Sequence, residues 1–160
     1  MNIIFLDIDG VLNCQLYYSS NAFDKSGEYP YNQIDKVRVG WLNELCEDVN
    51  AKVVISSTWR SEGLERCREI LQKCGATFDI ISTTPFTKER VRGVEIKKWL
   101  EDNDELLGCN YYDFYTYAII DDDSDMLLNQ QFNFFHVDNY SGLTPNTCYK
   151  IKRFFTHKTF

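Results

Sequence analysis

Short apolar runs and helically spaced apolar positions alternate along the chain. Apolar runs typical of buried strands occupy residues 3–6, 52–55, 78–81, 117–120 and 134–137. Helical spacing follows at 34–49, 61–73, 91–100 and 146–155. Strands that alternate with helices are the signature of a parallel sheet covered on both faces. We therefore predict an α/β fold with a doubly wound, five-stranded parallel sheet, formed by residues 1–160 as a single domain.

One irregular stretch interrupts this alternation. Residues 14–33 are rich in Tyr, Ser, Asn and Gly and lie between the first strand and the first helix. The stretch is too short to be a domain, and long loops without their own strands or helices are often functional. We interpret it as a short flap, or miniature cap, over a site.

Polar clusters follow three of the predicted strands. They are Asp7-x-Asp9 after the first strand, Ser56-Ser57 after the second and Asp121-Asp122 after the fourth. In doubly wound sheets, ligands bind outside the carboxyl ends of the strands. These clusters therefore predict one site at that edge of the sheet.

Asp7-Ile8-Asp9-Gly10 is the most informative segment. Residues i and i+2 of a strand point to the same side, so both carboxylates can face one pocket. Two carboxylates this close repel unless a cation lies between them, and Mg²⁺ suits a set of oxygen ligands. Gly10 allows a sharp turn and a close approach to a ligand. The alternative is a polar strand end with two solvated acids.

A second acidic cluster covers residues 121–125. Its spacing suggests a calcium loop, but an EF-hand is rejected because Met126 stands at the sixth position and Phe132 at the twelfth. The alternative is capping of a following helix by Asp123 or Ser124. Capping does not explain Asp121, which lies at the strand end, level with Asp7.

Ser56-Ser57 suits an anion, because a serine hydroxyl and the next backbone N–H can hold a phosphate oxygen. A transferring phosphoryl group also needs a cation. The candidates are Lys88, Arg90, Arg92, Lys97 and Lys98. Arg92 lies at a predicted helix start and faces the strand ends, whereas Lys97 lies in the middle of that helix and is expected to be solvated.

Composition narrows the class of protein. The chain has 160 residues, of which 44% are hydrophobic, and this content excludes a disordered protein. Its net charge of −7 excludes a general polyanion binder. It has no membrane span and no basic leader segment, so we expect an intracellular, cytoplasmic protein. The six cysteines form no metal-binding pattern and are predicted to be reduced thiols. Trp41, Trp59 and Trp99 are interpreted as core residues.

The four polar motifs, in this order, resemble those of the haloacid dehalogenase (HAD) superfamily, which has a Rossmann-like sheet. The finer resemblance is to the small HAD domains of "Swiss Army Knife" RNA repair proteins. It rests on Ser-Ser-x-Trp-Arg (56–60), Arg-Gly-x-Glu-Ile-x-x-Trp-Leu (92–100), Ile-Asp-Asp-Asp-x-Asp-Met (120–126) and Gly-Leu-Thr (142–144). The chain is also similar to the phosphatase half of polynucleotide kinase/3′-phosphatases.

The resemblance implies a role for each carboxylate. Asp7 would be the nucleophile that forms an aspartyl-phosphate, and Asp9 would be the general acid and then the general base. Asp7, the backbone carbonyl of Asp9, Asp121 and Asp122 would hold Mg²⁺.

The resemblance also implies the groups that bind phosphate. Ser56 and Arg92 would bind the phosphoryl oxygens, with Ser57 and the backbone at Gly10 beside them. The third motif of this superfamily is usually Lys, so Arg92 departs from the pattern, and an arginine brings a planar fork in place of a point charge.

We therefore predict a Mg²⁺-dependent phosphomonoesterase that acts on a phosphorylated nucleic-acid end or nucleotide. The short insert leaves the site open, which favours a large substrate such as a polynucleotide end. The alternatives are a mononucleotide phosphatase that uses the flap as a cap, and an inactive HAD-like binding module. A phospho-receiver is disfavoured because the third predicted strand does not end in an acid. The sequence does not indicate an oligomeric state.

Overall fold

Five parallel strands form one sheet, in the order β3-β2-β1-β4-β5. The structure is a computed structural model and describes residues 1–105 and 116–157. The strands are β1 (Asn2–Leu6), β2 (Ala51–Ile55), β3 (Ile80–Thr83), β4 (Thr116–Asp121) and β5 (Phe134–His136). The helices are α1 (Gln15–Tyr18), α2 (Lys36–Val49), α3 (Leu64–Lys73), α4 (Arg92–Asp102) and α5 (Pro145–Thr156). The predicted α/β fold is confirmed.

Alternation along β1 divides the core into two layers. Ile4 and Leu6 belong to a large cluster with apolar residues of α2, α3 and α5. Ile3 and Phe5 point to the other face, where they join residues of α4. Phe5 packs edge-to-face on Trp99 with ring centroids 5.3 Å apart, which fixes α4 against the sheet.

The register of the sheet brings the polar strand ends level. Leu6 pairs with Ile55 of β2 and with Ile120 of β4, so Asp7 is next to Ser56 and Asp121. The ladder continues one step further, because the Asp7 N–H donates to the Ile120 carbonyl at 3.0 Å. All three residues continue the side-chain direction that faces α4, since side chains alternate along a strand.

Two predicted boundaries are shifted. Strand β3 begins at Ile80 rather than at 78, and the register between β2 and β3 slips near Val53. The helix predicted over 61–73 also begins later than expected. The chain first makes a 3-10 turn at Thr58–Glu62, in which the Ser57 hydroxyl accepts from the Trp59 N–H, and α3 starts only at Leu64.

The predicted helix cap at Asp123 or Ser124 is also wrong. Among the described residues, no α-helix follows β4 before α5, and only a 3-10 turn occurs, at Leu128–Gln130. Asp125 instead caps a helix that precedes it in the chain: its carboxylate accepts from the Arg92 N–H at 2.8 Å. The acidic segment therefore stabilises the start of α4.

The insert at 14–33 folds back on the protein through its tyrosines. Tyr17 is buried and donates its hydroxyl proton to the Asn32 carbonyl at 2.8 Å. Tyr31 contacts Glu69 and Lys73 of α3. Tyr29 is different, because 74% of it is exposed.

Two further expectations concern the cysteines and membrane-spanning helices, and the structure tests both within the described residues. The five described cysteines, Cys14, Cys46, Cys67, Cys74 and Cys148, are free, and Cys109 lies outside the described residues. Within residues 1–105 and 116–157, no helix has the length and apolar character that crossing a bilayer requires.

Candidate active site

A pocket of about 310 Å³ opens at the carboxyl ends of β1 and β4. Its walls include Asp7, Asp9, Asn13, Tyr18, Arg92 and Asp122. The flap contributes Tyr18, and the start of α4 contributes Arg92. The pocket therefore lies where a doubly wound sheet binds its ligand.

Three carboxylates converge beside this pocket. Asp7, Asp121 and Asp122 each offer an oxygen, and these oxygens lie within 4.8 Å of one another. Burial raises the pKa of Asp7 to about 6, although the Arg92 guanidinium acts in the opposite direction. Burial, followed by the charge of Asp7, raises the pKa of Asp121 to about 7. The cluster therefore holds more negative charge than its surroundings neutralise.

The cluster fits a hard divalent cation. Oδ2 of Asp121 is buried and has no hydrogen-bond partner among the described residues. An unsatisfied buried carboxylate oxygen is costly unless a ligand completes it. Because all the donors are oxygens, they match the preference of Mg²⁺.

Gly10 makes room for Asp122. Its φ is +75°, and a Cβ atom at this position would lie 2.3 Å from the Asp122 Oδ2 atom. The carbonyl of Asp122 is held in turn by His136, whose Nε2 lies 2.8 Å from it. Any side chain at position 10 would therefore displace the Asp122 carboxylate.

Arg92 is the cation that reaches the cluster. Its Nη1 atom lies 3.3 Å from Oδ1 of Asp7 and 3.4 Å from Oδ2 of Asp121. Lys97 instead pairs with Glu101 at 3.6 Å on the exposed face of α4, and Lys88 and Arg90 are exposed. Lys98 pairs with Asp102 at 2.5 Å. Of the five candidates from the sequence, the structure thus brings Arg92 alone to the three carboxylates.

The two serines after β2 have different environments. The Ser57 side chain forms a hydrogen bond with Asp7, which lowers the pKa of Asp7 against the effect of burial. The Ser56 hydroxyl is buried without a hydrogen-bond partner among the described residues, while the Ser56 carbonyl accepts from Arg92. Ser57 is therefore the serine whose hydroxyl touches the nucleophile candidate.

Asp9 lies on the solvent side of the pocket and is held by two donors. Asn13 Nδ2 and Trp59 Nε1 each lie 2.9 Å from one of its carboxylate oxygens. The interpretation of Trp59 as a core residue holds only in part: it is half-buried and packs against the large core cluster, but its indole N–H orients Asp9. Trp41 is likewise only partly buried, whereas Trp99 is a core residue, as predicted.

Sequence reasoning missed the ion pair behind the serines. Arg60 and Glu95 are both buried and meet at 2.5 Å. The Arg60 guanidinium also donates to the Ser57 carbonyl at 2.8 Å and to the Ser56 carbonyl, and these hydrogen bonds stabilise the turn after β2. Glu95 lies one helical turn after Arg92, and its position on the buried side of α4 was the available signal.

Comparison with known proteins identifies the family of the chain. A family model described as the HAD domain in Swiss Army Knife RNA repair proteins matches residues 3–148. The chain therefore belongs to this family of HAD domains, and HAD domains in general are hydrolases, chiefly phosphatases. Comparison with curated proteins and with solved structures gave no match.

Proposed function

We propose that this protein is a Mg²⁺-dependent phosphomonoesterase that acts on a phosphorylated nucleic-acid end or nucleotide through an aspartyl-phosphate. The observation that carries the proposal is the convergence of Asp7, Asp121 and Asp122 with Arg92 at one sheet edge. Three acids against one arginine leave a net negative charge that a divalent cation would balance, and the cation together with Arg92 would then attract a phosphate.

Asp7, Asp121 and Asp122, with the backbone carbonyl of Asp9, would hold the magnesium ion. When bound, the ion supplies positive charge that neutralises the carboxylates and the phosphoryl oxygens. Arg92 binds a phosphoryl oxygen from the start of α4, while Ser57, Ser56 and the backbone at Gly10 surround the others. These groups orient the phosphorus atom toward Asp7.

The first chemical step is attack by a carboxylate oxygen of Asp7 on phosphorus. The new Asp7 O–P bond forms as the bond between phosphorus and the leaving oxygen breaks. Asp9 gives its proton to that oxygen, so the product leaves as an alcohol. Asn13 and Trp59 keep the Asp9 carboxylate in place for this transfer.

The second step returns the enzyme to its starting state. A water molecule attacks phosphorus and the Asp7 O–P bond breaks, while the Asp9 carboxylate accepts the proton of the water. Inorganic phosphate leaves and Asp7 is again a free carboxylate. Because both lie on one pocket, Asp7 and Asp9 can act on the same phosphorus atom.

Family membership and the open pocket support a nucleic-acid substrate. The family takes its description from RNA repair proteins, and the flap adds only short elements beside the site. A mononucleotide also fits a pocket of about 310 Å³, so the two substrate classes are compared in the same assay.

Phosphate release tests the proposal. We would measure it with Mg²⁺ and with EDTA on p-nitrophenyl phosphate, nucleoside 3′- and 5′-monophosphates, and oligonucleotides with 3′- or 5′-phosphate ends. We expect release that needs Mg²⁺ and falls at least about 1,000-fold in Asp7→Asn. Asp79→Asn is the matched control, since Asp79 pairs with Lys52 on the surface. Folded protein that releases no phosphate from any substrate would favour the binding-module alternative.

A further inference from the structure

A second cavity adjoins the active-site pocket on the side of Asp9. Its volume is about 260 Å³, and it shares Asp9 and Thr58 with the pocket that holds Asp7. Its other walls include Tyr29 and Pro30 from the flap and Trp59 from the turn after β2. The proposed function uses none of these flap residues.

Asp9 connects the two cavities chemically. Its Oδ2 atom accepts from the Trp59 indole, so this carboxylate stands at the border between them. A general acid must contact the leaving oxygen. The group attached to that oxygen therefore lies on the Asp9 side, where the second cavity is.

The walls of the cavity define what it can hold. Tyr29 and Trp59 offer aromatic surface. Because Tyr29 is 74% exposed, its ring is accessible to a planar ligand that could stack on it. The charged residues on the described walls are Asp9 and Glu62, without Lys or Arg. Such a cavity repels a further phosphate and suits a neutral, planar group that carries N–H donors.

Among groups that are commonly attached to a phosphate, a nucleobase on its sugar has these properties. Bases stack on aromatic side chains, and each such contact contributes about 1–3 kcal/mol. We propose that Tyr29 and Trp59 form the subsite for the base of the nucleotide whose phosphate is removed, with Tyr29 as a specificity-determining residue. The inference rests on the proposed function, because it uses Asp9 as the proton donor.

A matched pair of substrates tests the subsite. Two phosphate-ended oligonucleotides would differ only in the terminal nucleotide, which carries either a base or an abasic sugar. For the wild type we expect kcat/KM to be at least about tenfold higher with the base. Tyr29→Ala is expected to bring this ratio close to one, and Tyr29→Phe to keep it. Phe132→Ala is the control, because Phe132 is a 79% exposed aromatic residue outside both cavities.

Binding is measured separately from turnover. In EDTA, adenosine monophosphate is expected to quench tryptophan fluorescence more than ribose 5-phosphate does, and Trp59→Phe is expected to remove the difference. Hydrolysis of both oligonucleotides at equal rates would overturn the subsite and leave the phosphatase intact. Base-dependent quenching without hydrolysis would overturn the phosphatase and leave a binding site for the base. Absence of both effects would overturn both proposals.

Discussion

Arg60, which is buried, and Arg92, which is partly buried, donate to the same carbonyl, that of Ser56, yet their surroundings differ in charge. Arg60 faces one acid, Glu95, and both carboxylate oxygens of Glu95 accept a hydrogen bond. Arg92 faces Asp7 and Asp121, with Asp122 beside them, and Oδ2 of Asp121 has no hydrogen-bond partner in the described part of the chain.

The difference distinguishes a balanced charge pair from the cluster that the proposed function assigns to a metal ion. Arg60 and Glu95 balance each other, so their burial is compensated within the protein. The Arg92 cluster is not balanced by the described side chains around it, and its excess of carboxylate favours a bound cation. Predictions that disturb each site in turn test this distinction.

The largest effect is expected at the balanced pair. Glu95→Gln leaves Arg60 as a buried, unpaired charge and should lower the free energy of unfolding by about 3–5 kcal/mol. Urea denaturation measures it. Arg60→Met with Glu95→Leu removes both charges and should recover much of the loss. Lys97→Met breaks the exposed Lys97–Glu101 pair and should change stability by less than about 1 kcal/mol. A small effect of Glu95→Gln would contradict the comparison.

Removal of an acid from the unbalanced cluster should raise the free energy of unfolding rather than lower it. Asp121→Asn takes one charge away from Asp7, so in EDTA the free energy of unfolding should rise by an amount on the order of 2 kcal/mol. The same variant should lose the stabilisation that Mg²⁺ gives the wild type. Asp79→Asn serves again as the surface control. A loss of stability in Asp121→Asn without metal would show that the cluster is already balanced.

Gly10 offers a smaller and more local change. Gly10→Ala places a Cβ against the Asp122 carboxylate and should weaken Mg²⁺ binding about tenfold, as measured by titration calorimetry. Gly75→Ala is the matched control: its φ is +97°, but a Cβ there meets nothing within 4 Å. Both variants carry backbone strain, and only Gly10→Ala should affect the metal. Equal Mg²⁺ affinity in the two would contradict the assigned role of Asp122.

A pH dependence tests the same cluster without a substitution. Because burial raises the pKa of Asp7 to about 6 and that of Asp121 to about 7, the folded protein binds more protons than the unfolded chain between about pH 4 and pH 7. In EDTA, stability should therefore fall as the pH rises through this window. Unfolding at pH 5 and at pH 8 measures the fall. Asp121→Asn should flatten it, and saturating Mg²⁺ should reverse it.

Local sequence patterns were sufficient to predict much of the fold and the polar residues at the ends of the strands. The apolar run at 3–6 ends abruptly at Asp7, and such a boundary is visible in the chain itself. The same holds for Asp121 after β4. Strand β3 was placed two residues early because Phe78, although buried, lies before the strand rather than in it.

Contacts between distant segments could not be read from local patterns. Asp123 and Ser124 suggested a cap for a following helix, but the acid that caps a helix is Asp125, and its partner is the Arg92 N–H, which lies 33 positions earlier. Trp59 had the character of a core residue, yet its indole N–H bonds to Asp9 across 50 positions. Arg60 and Glu95 are 35 positions apart.

The sequence by itself determined an α/β sheet with acids and serines at the ends of its strands, because hydrophobic periodicity and its interruption are properties of neighbouring residues. Only the tertiary structure decided that Arg92, rather than Lys88, Arg90 or Lys97, meets Asp7. That choice depends on the register of three strands and on the point where α4 begins against them, and both arise from packing between segments that are far apart in the chain.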